Sequence, residues 1–255
     1  MHPTYTPTQS PPTPKAEESQ PMTPREFFAA IGEHIEELRK RLLVAVIALA
    51  VTTLASFAFT EQILDLLTLP IGGLENLQSI EITENVSVFM RVSLLSGFIL
   101  ALPVIVYELL AFIMPGLEPK ERRWVNLFIP FATLLFLAGV AFSYFVMLPV
   151  AVPFLVTFLG IQTEVRPASY INFVTNLMFW IGVVFEMPLI VFMLAKFRIV
   201  SAAQLLKQWR IAIVLSAGAA ALITPTVDPV NMGLLMAPLI VLYFLSVLFA
   251  RLAGN

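Results

Sequence analysis

The chain reads as an all-α membrane protein with six transmembrane helices, and three observations predict this. Of its 255 residues, 58% are hydrophobic and only 13% are charged, about half the charge share of an ordinary soluble domain. The apolar residues gather in blocks long enough to cross a bilayer. No stretch alternates apolar and polar residues in the manner of a transmembrane β-barrel. The chain has no cysteine, which excludes disulfides, thiolate nucleophiles and cysteine-based metal sites. His2 and His34 are its two histidines, too few for a histidine metal centre. No cofactor is expected.

Residues 1–22 are rich in Pro, Thr and Ser without an apolar run, so they cannot offset their ordering entropy and are expected to be a disordered tail. The membrane domain is expected over 23–255. Thr23-Pro24-Arg25-Glu26 carries the N-cap, N1 and N3 residues of a capping box, which predicts a helix start. Phe27, Phe28, Ile31, Ile35, Leu38 and Leu42 follow at three- and four-residue steps, as in an amphipathic helix on the membrane surface that runs into the first span.

Spans are expected near 42–59, 86–112, 125–148, 171–194, 211–223 and 233–250. Five of these carry enough apolar residues for ~30 Å of hydrocarbon at ~1.5 Å per residue. The fifth, at about 13 residues or roughly 20 Å, is short, and a re-entrant segment is its alternative. Pro103, Pro130, Pro188 and Pro238 fall inside spans, where each frees a carbonyl and bends its helix.

Charge fixes the expected orientation. Arg39, Lys40 and Arg41 precede the first span, Lys120, Arg122 and Arg123 follow the second, Lys196, Arg198, Lys207 and Arg210 follow the fourth, and Arg251 follows the sixth. Six spans put all of them on one side, and leave Arg166, with Arg91 as a second candidate, among Glu61, Asp65, Glu75, Glu81, Glu84, Glu164 and Asp228 on the other. The positive-inside rule then places both termini in the cytoplasm, in a multi-pass protein of the cell membrane.

Several polar residues admit two readings. Glu186, inside Val183-Val184-Phe185-Glu186-Met187-Pro188, costs roughly 3 kcal/mol at that depth, so it needs a partner or a wet cavity. It is either a protonated carboxyl bonded to a neighbouring helix, or a contact point for a partner's transmembrane helix or a proton-sensitive switch. Glu37, Arg39, Lys40 and Arg41 form either a lipid-facing anchor with Glu37 paired to Arg41 at i,i+4, or a site where Glu37 accepts a guanidinium bidentately. Glu118 and Glu121 lie in a Pro- and Gly-flanked stretch that is either solvated or part of a two-carboxylate site with Glu37. Thr224–Pro229 reads as a turn. No metalloprotease, nucleophile-elbow or phosphate-loop motif occurs, so an enzyme is not expected.

Taken in order, the segments His34–Leu42, Ala111–Leu117, Glu121–Arg123, Ala141–Phe145, Ala168–Tyr170, Gly182–Pro188 and Thr224-Pro225 resemble the TatC family, the polytopic subunit of the twin-arginine protein translocase. The resemblance implies a six-helix, curved, glove-shaped bundle that binds the twin-arginine signal peptide of folded cargo and nucleates a translocation complex driven by the proton-motive force. It also implies a peptide site built from Glu37 and Glu121 with Arg39, Arg41, Phe112, Pro115, Leu117 and Arg122. Glu186, Pro70 and Asp228 match positions that the family uses for partner contact or at its outer loops. The implied partners are TatA- and TatB-like single-span subunits, signal peptides, membrane lipids and further copies of the chain. Nucleic acid is not among them. Met232 stands where the family often has a polar residue, and the tail has no counterpart. Two other readings compete: a secondary transporter, for which the halves show no convincing repeat, and a lipid-binding scaffold with a basic face.

Overall fold

Inside hydrocarbon a backbone must satisfy its own hydrogen bonds, so apolar blocks of this length fold as helices. The computed structural model of the chain describes residues 24–114, 122–157, 164–224 and 229–253, without the side chains of 24–31, 33 and 122–126. The tail at 1–22, Thr23 of the capping box, and Pro115, Leu117, Glu118, Glu121, Pro225 and Asp228 lie outside the described residues.

Ten α-helices are described: α1 (Pro24–Ser56), α2 (Thr60–Thr68), α3 (Glu84–Ile113), α4 (Arg122–Phe142), α5 (Leu148–Val156), α6 (Pro167–Phe185), α7 (Met187–Lys196), α8 (Ala202–Lys207), α9 (Trp209–Ile223) and α10 (Pro229–Leu252). One isolated bridge, Leu77 with Val165, is the extended pairing found among these residues. Five helical runs are long and apolar enough to cross a membrane: His34–Ile71, Glu84–Ile113, Leu127–Val156, Pro167–Lys196 and Pro229–Leu252. The expected fifth span is α9, whose 15 residues extend about 22 Å.

Three boundaries differ from the sequence reading, each for a local reason. The first run does not end at Phe59 but continues through α2. Thr60, just past the expected end, is fully buried, and its hydroxyl bonds the Ser56 carbonyl at 2.9 Å and the Ser93 hydroxyl at 2.6 Å. The third run passes Leu148 because a wide π turn, Ser143–Met147, carries the helix into α5. Pro149 then sits in the first turn of α5, where Pro is best tolerated, and Pro153 lies inside that helix. The fourth run, expected over 171–194 with a bend at Pro188, divides into two helices at Glu186. Pro188 cannot donate to the Val184 carbonyl and its ring crowds that turn, so α6 stops at Phe185 and α7 starts at Met187.

Residues up to Arg39 form one unit and Lys40–Asn255 a second. The first is the N-terminal part of α1. In the second, α6 is the central helix: Ile171, Val174, Leu177 and Ile181 are at most 2% exposed. They pack with Val88 and Val92 of α3, with Met147, Leu148 and Val152, and with Leu235 and Leu239 of α10. A second cluster is built of small residues, Ala195, Ala202, Ala250 and Ala253. Lipid tails are as apolar as leucine, so small residues that let backbones approach closely drive such packing. Glycines do the same elsewhere. A Cβ on Gly139 would lie 2.8 Å from the Gly182 Cα and 2.9 Å from the Ile181 carbonyl oxygen, and one on Gly97 would lie 2.5 Å from the Thr53 Cα.

The ends of α2, α3 and α6 are tied by polar groups. Tyr144 and Tyr170 each donate at 2.8 Å to carbonyls of α2, those of Leu66 and Leu67. Both carbonyls belong to the last turn of α2, where helical donors run short, although the Leu66 carbonyl also accepts from the Leu69 N–H. Glu84 is buried. Its carboxylate accepts from the backbone N–H of Ala168 at 3.0 Å and of Ile80 at 3.2 Å, and it pairs with Arg166 at 3.4 Å. Arg166 also donates to Glu81 at 2.9 Å. That hydrogen bond, and then the Glu84 charge, hold the Arg166 guanidinium above its ordinary pKa. Pro70 sits in a 3-10 turn, Leu69–Ile71, just after α2, and Gly72 follows in the left-handed region at φ +90.

Gly139→Ala should destabilise the protein by about 1–3 kcal/mol, since backbone atoms on α6 cannot yield to the new methyl. Gly218→Ala, where a Cβ meets nothing within 4 Å, should be neutral or slightly stabilising. Melting temperatures of the two variants in one detergent decide this, and equal values would remove the close α4–α6 crossing as a constraint.

Candidate functional site

The expected peptide site begins on α1. Glu37 is half-buried and Arg39 exposed, both on the N-terminal unit. Arg41 lies in the second unit, and its Nη1 donates to Glu108 Oε2 at 3.2 Å, an ion pair whose side chains are 29% and 14% exposed. The sequence reading missed Glu108. Its signal was an acidic residue four positions before Phe112, on one face of one helix. Phe112 is half-buried in the last turn of α3. Arg122 opens α4. The structure therefore ties the start of the first span to the far end of α3 through a guanidinium and a carboxylate.

Glu186 is the second candidate. It is both the last cap of α6 and the first cap of α7, and its carbonyl accepts from Leu189 and Ile190, each at 3.0 Å. The joint that Pro188 creates thus sets an acidic side chain where two half-helices meet. Its Oε1 is buried without a hydrogen-bond partner among the described residues. Beside it, Val183 and Met187 line a groove of about 470 Å³ that continues along Gln208 and Ser216 of the α8–α9 segment to Tyr243 of α10. Tyr243 donates to the Leu205 carbonyl, which fixes α8 against α10. The groove offers an apolar helix a surface next to the Glu186 joint, although Glu186 itself is not among the residues that line it.

Among the described residues no group of three or more His, Asp or Glu side chains is placed to hold a metal ion. The ordered motifs find structural work instead. Tyr144 and Tyr170, from two of the quoted segments, hold α2, and Pro188 makes the joint at Glu186.

Three comparisons bear on the chain as a whole. The family described as Sec-independent protein translocase protein (TatC) matches residues 33–238. A Sec-independent protein translocase protein TatC of Deinococcus radiodurans is 38% identical over 253 residues, covering 96% of this chain and 93% of the relative. One from Carboxydothermus hydrogenoformans is 33% identical over 92% of this chain and 95% of its own length. The chloroplastic protein of Pisum sativum is 33% identical over 93% of this chain and 68% of its own length. A crystal structure of a twin arginine translocase receptor, TatC, superposes with a TM-score of 0.76 at 32% identity, covering 87% of this chain and all of that one. The family match runs from within α1 through the Glu186 joint into the first part of α10, and the chain belongs to the TatC family of Sec-independent protein translocase proteins.

Proposed function

We propose that the protein is the receptor subunit of a twin-arginine translocase: it binds the twin-arginine signal peptide of folded cargo and nucleates the export complex. The likeness to a twin arginine translocase receptor over 87% of the chain carries this reading. Glu37 and Glu121 are the two carboxylates for the two arginines, since a carboxylate accepts a guanidinium in a planar fork that lysine cannot offer. Phe112, Pro115 and Leu117 shape the apolar wall, and Arg39 and Arg122 flank it. Arg41 neutralises Glu108 at 3.2 Å, so Glu108 is held out of that pair and serves to position α1 against α3.

The proposed topology has six spans, α9 included, with both termini in the cytoplasm. Arg166 is matched by Glu81 and Glu84, so it adds nothing basic to the opposite side, in keeping with the positive-inside rule. Glu186 and the groove beside it receive single-span partners of the TatA and TatB kind, and the proton-motive force drives assembly and transport. Export across the cell membrane needs no catalytic residue in this chain.

Equilibrium binding of a labelled signal peptide to the protein in nanodiscs tests the site. Glu37→Ala and Glu121→Ala should each weaken binding by about 10- to 100-fold, the loss of one charge-assisted pair. The preference for Arg-Arg over Lys-Lys should vanish in the double variant. Binding indifferent to both substitutions would leave a basic scaffold in place of a receptor. Glu186→Ala should lower recovery of the single-span partners on co-purification while leaving peptide affinity intact, and full recovery would count against its partner role. Glu108→Ala should lower the melting temperature by removing the Arg41–Glu108 pair, with far less effect on peptide affinity than Glu37→Ala. A loss as large as that of Glu37→Ala would instead place Glu108 among the binding carboxylates.

A further inference from the structure

Arg91 belongs to neither site above. It lies seven residues into α3, about 10 Å from the Glu84 end, within a membrane-spanning run. Its Nε donates to Thr175 Oγ1 at 3.1 Å and its Nη2 to Asn176 Oδ1 at 3.1 Å. The Thr175 hydroxyl donates onward to the Ile171 carbonyl at 2.6 Å. These partners are neutral, and among the described residues no carboxylate pairs with Arg91. A guanidinium has five N–H groups, so the two bonds leave N–H donors over together with an uncompensated charge. Such a cation within hydrocarbon is costly unless an anion meets it.

The guanidinium stands in a groove of about 870 Å³ between α1, α3 and α6. Near the Glu84 end its lining is polar, with Ser87, Arg91, Asn172 and Asn176. Deeper it becomes apolar, with Leu94, Leu95, Phe98 and Phe179. Phe98 and Phe179 meet edge to face at 5.1 Å and form its floor. Thr53, on the α1 wall, turns its hydroxyl onto Gly97. From Ser87 to Phe98 the groove extends about 16 Å along α3, which is one leaflet of a hydrocarbon core of ~30 Å. A partner's transmembrane helix would need a channel of the whole thickness.

We propose that this groove is a binding site for one anionic phospholipid. Its phosphodiester accepts hydrogen bonds from Arg91, with Asn172 and Ser87 as neighbouring polar contacts. Its acyl chain lies along Leu94 and Leu95 down to the Phe98–Phe179 floor. The bound lipid supplies the charge that the protein withholds and seals α1 to α3 and α6. It occupies the leaflet at the Glu84 end of α3, away from the Arg41–Glu108 pair at the other end.

The test uses the full-length protein purified in detergent, with phosphatidylglycerol or phosphatidylcholine of identical chains added and retained lipid counted by native mass spectrometry. Arg91→Gln should weaken retention of the tightest phosphatidylglycerol by about tenfold, the size of a charge-assisted contact. Arg91→Lys should keep most of it. Leu94→Trp, which fills the apolar part of the groove and leaves the charge alone, should weaken both lipids. Equal retention by wild type and Arg91→Gln overturns the proposal. So does displacement of the lipid by excess inorganic phosphate, which would mark a plain anion site without a chain groove. If Arg91→Gln does not purify as a folded protein, Leu94→Trp decides, and unchanged phosphatidylglycerol retention in that variant overturns the site. Because the chain has no cysteine, Leu94→Cys with a photocrosslinker can also be examined in native membranes. It should label lipid, and label confined to a protein would assign the groove to a partner helix instead.

Discussion

A polar group inside hydrocarbon has no water to turn to, and this constraint organises the whole molecule. It makes every apolar block a helix. It also explains why hydroxyl side chains within the runs fold back onto carbonyls, as Thr52 does onto Ala48 and Gly97, Thr175 onto Ile171 and Ser246 onto Leu242. Where helices end near the membrane, tyrosines from elsewhere supply the missing donors, and Glu84 gathers the loose N–H groups of two segments at once. Stability in such a protein comes from satisfying polar groups and fitting backbones closely, because burial against another helix gains little over burial in lipid.

Function follows from where that satisfaction is incomplete. The Arg41–Glu108 pair closes the junction between α1 and α3. Glu186 is the opposite case, a buried oxygen without a hydrogen-bond partner among the described residues at a joint that its own proline creates. Arg91 is a third, a cation bound by neutral groups alone. Among the described residues the Glu186 Oε1 lacks a hydrogen-bond partner and Arg91 lacks a counter-charge, and the partners proposed for them, a polar helix and a phosphodiester, have the matching chemistry.

The glycine and alanine contacts set the stage for these sites. Gly139 brings α4 against the Gly182 backbone of α6, and Gly182 leaves room for the Phe136 ring. That fixes α6, and with it Asn172, Thr175 and Asn176 facing Arg91 on one side and the Glu186 joint at its end. A substitution at such a crossing would displace functional groups without touching them.

The sequence by itself determined the class of fold, the approximate place of each apolar helix and the family, because hydropathy and helix periodicity are local properties and the ordered motifs are specific. It also placed Glu186 beside a proline inside a span. Only the tertiary structure decided that Thr60 is an interior residue, that the fourth run breaks at Glu186, and that Arg41 meets Glu108 across 67 positions of chain. It likewise decided that Arg91 faces α6 and not a carboxylate. Those facts depend on which helix lies beside which, and a polar residue's meaning changes with its partner. Thr60 is a lone polar residue at the edge of an apolar block in the sequence, and it is a core residue because Ser93 stands opposite it.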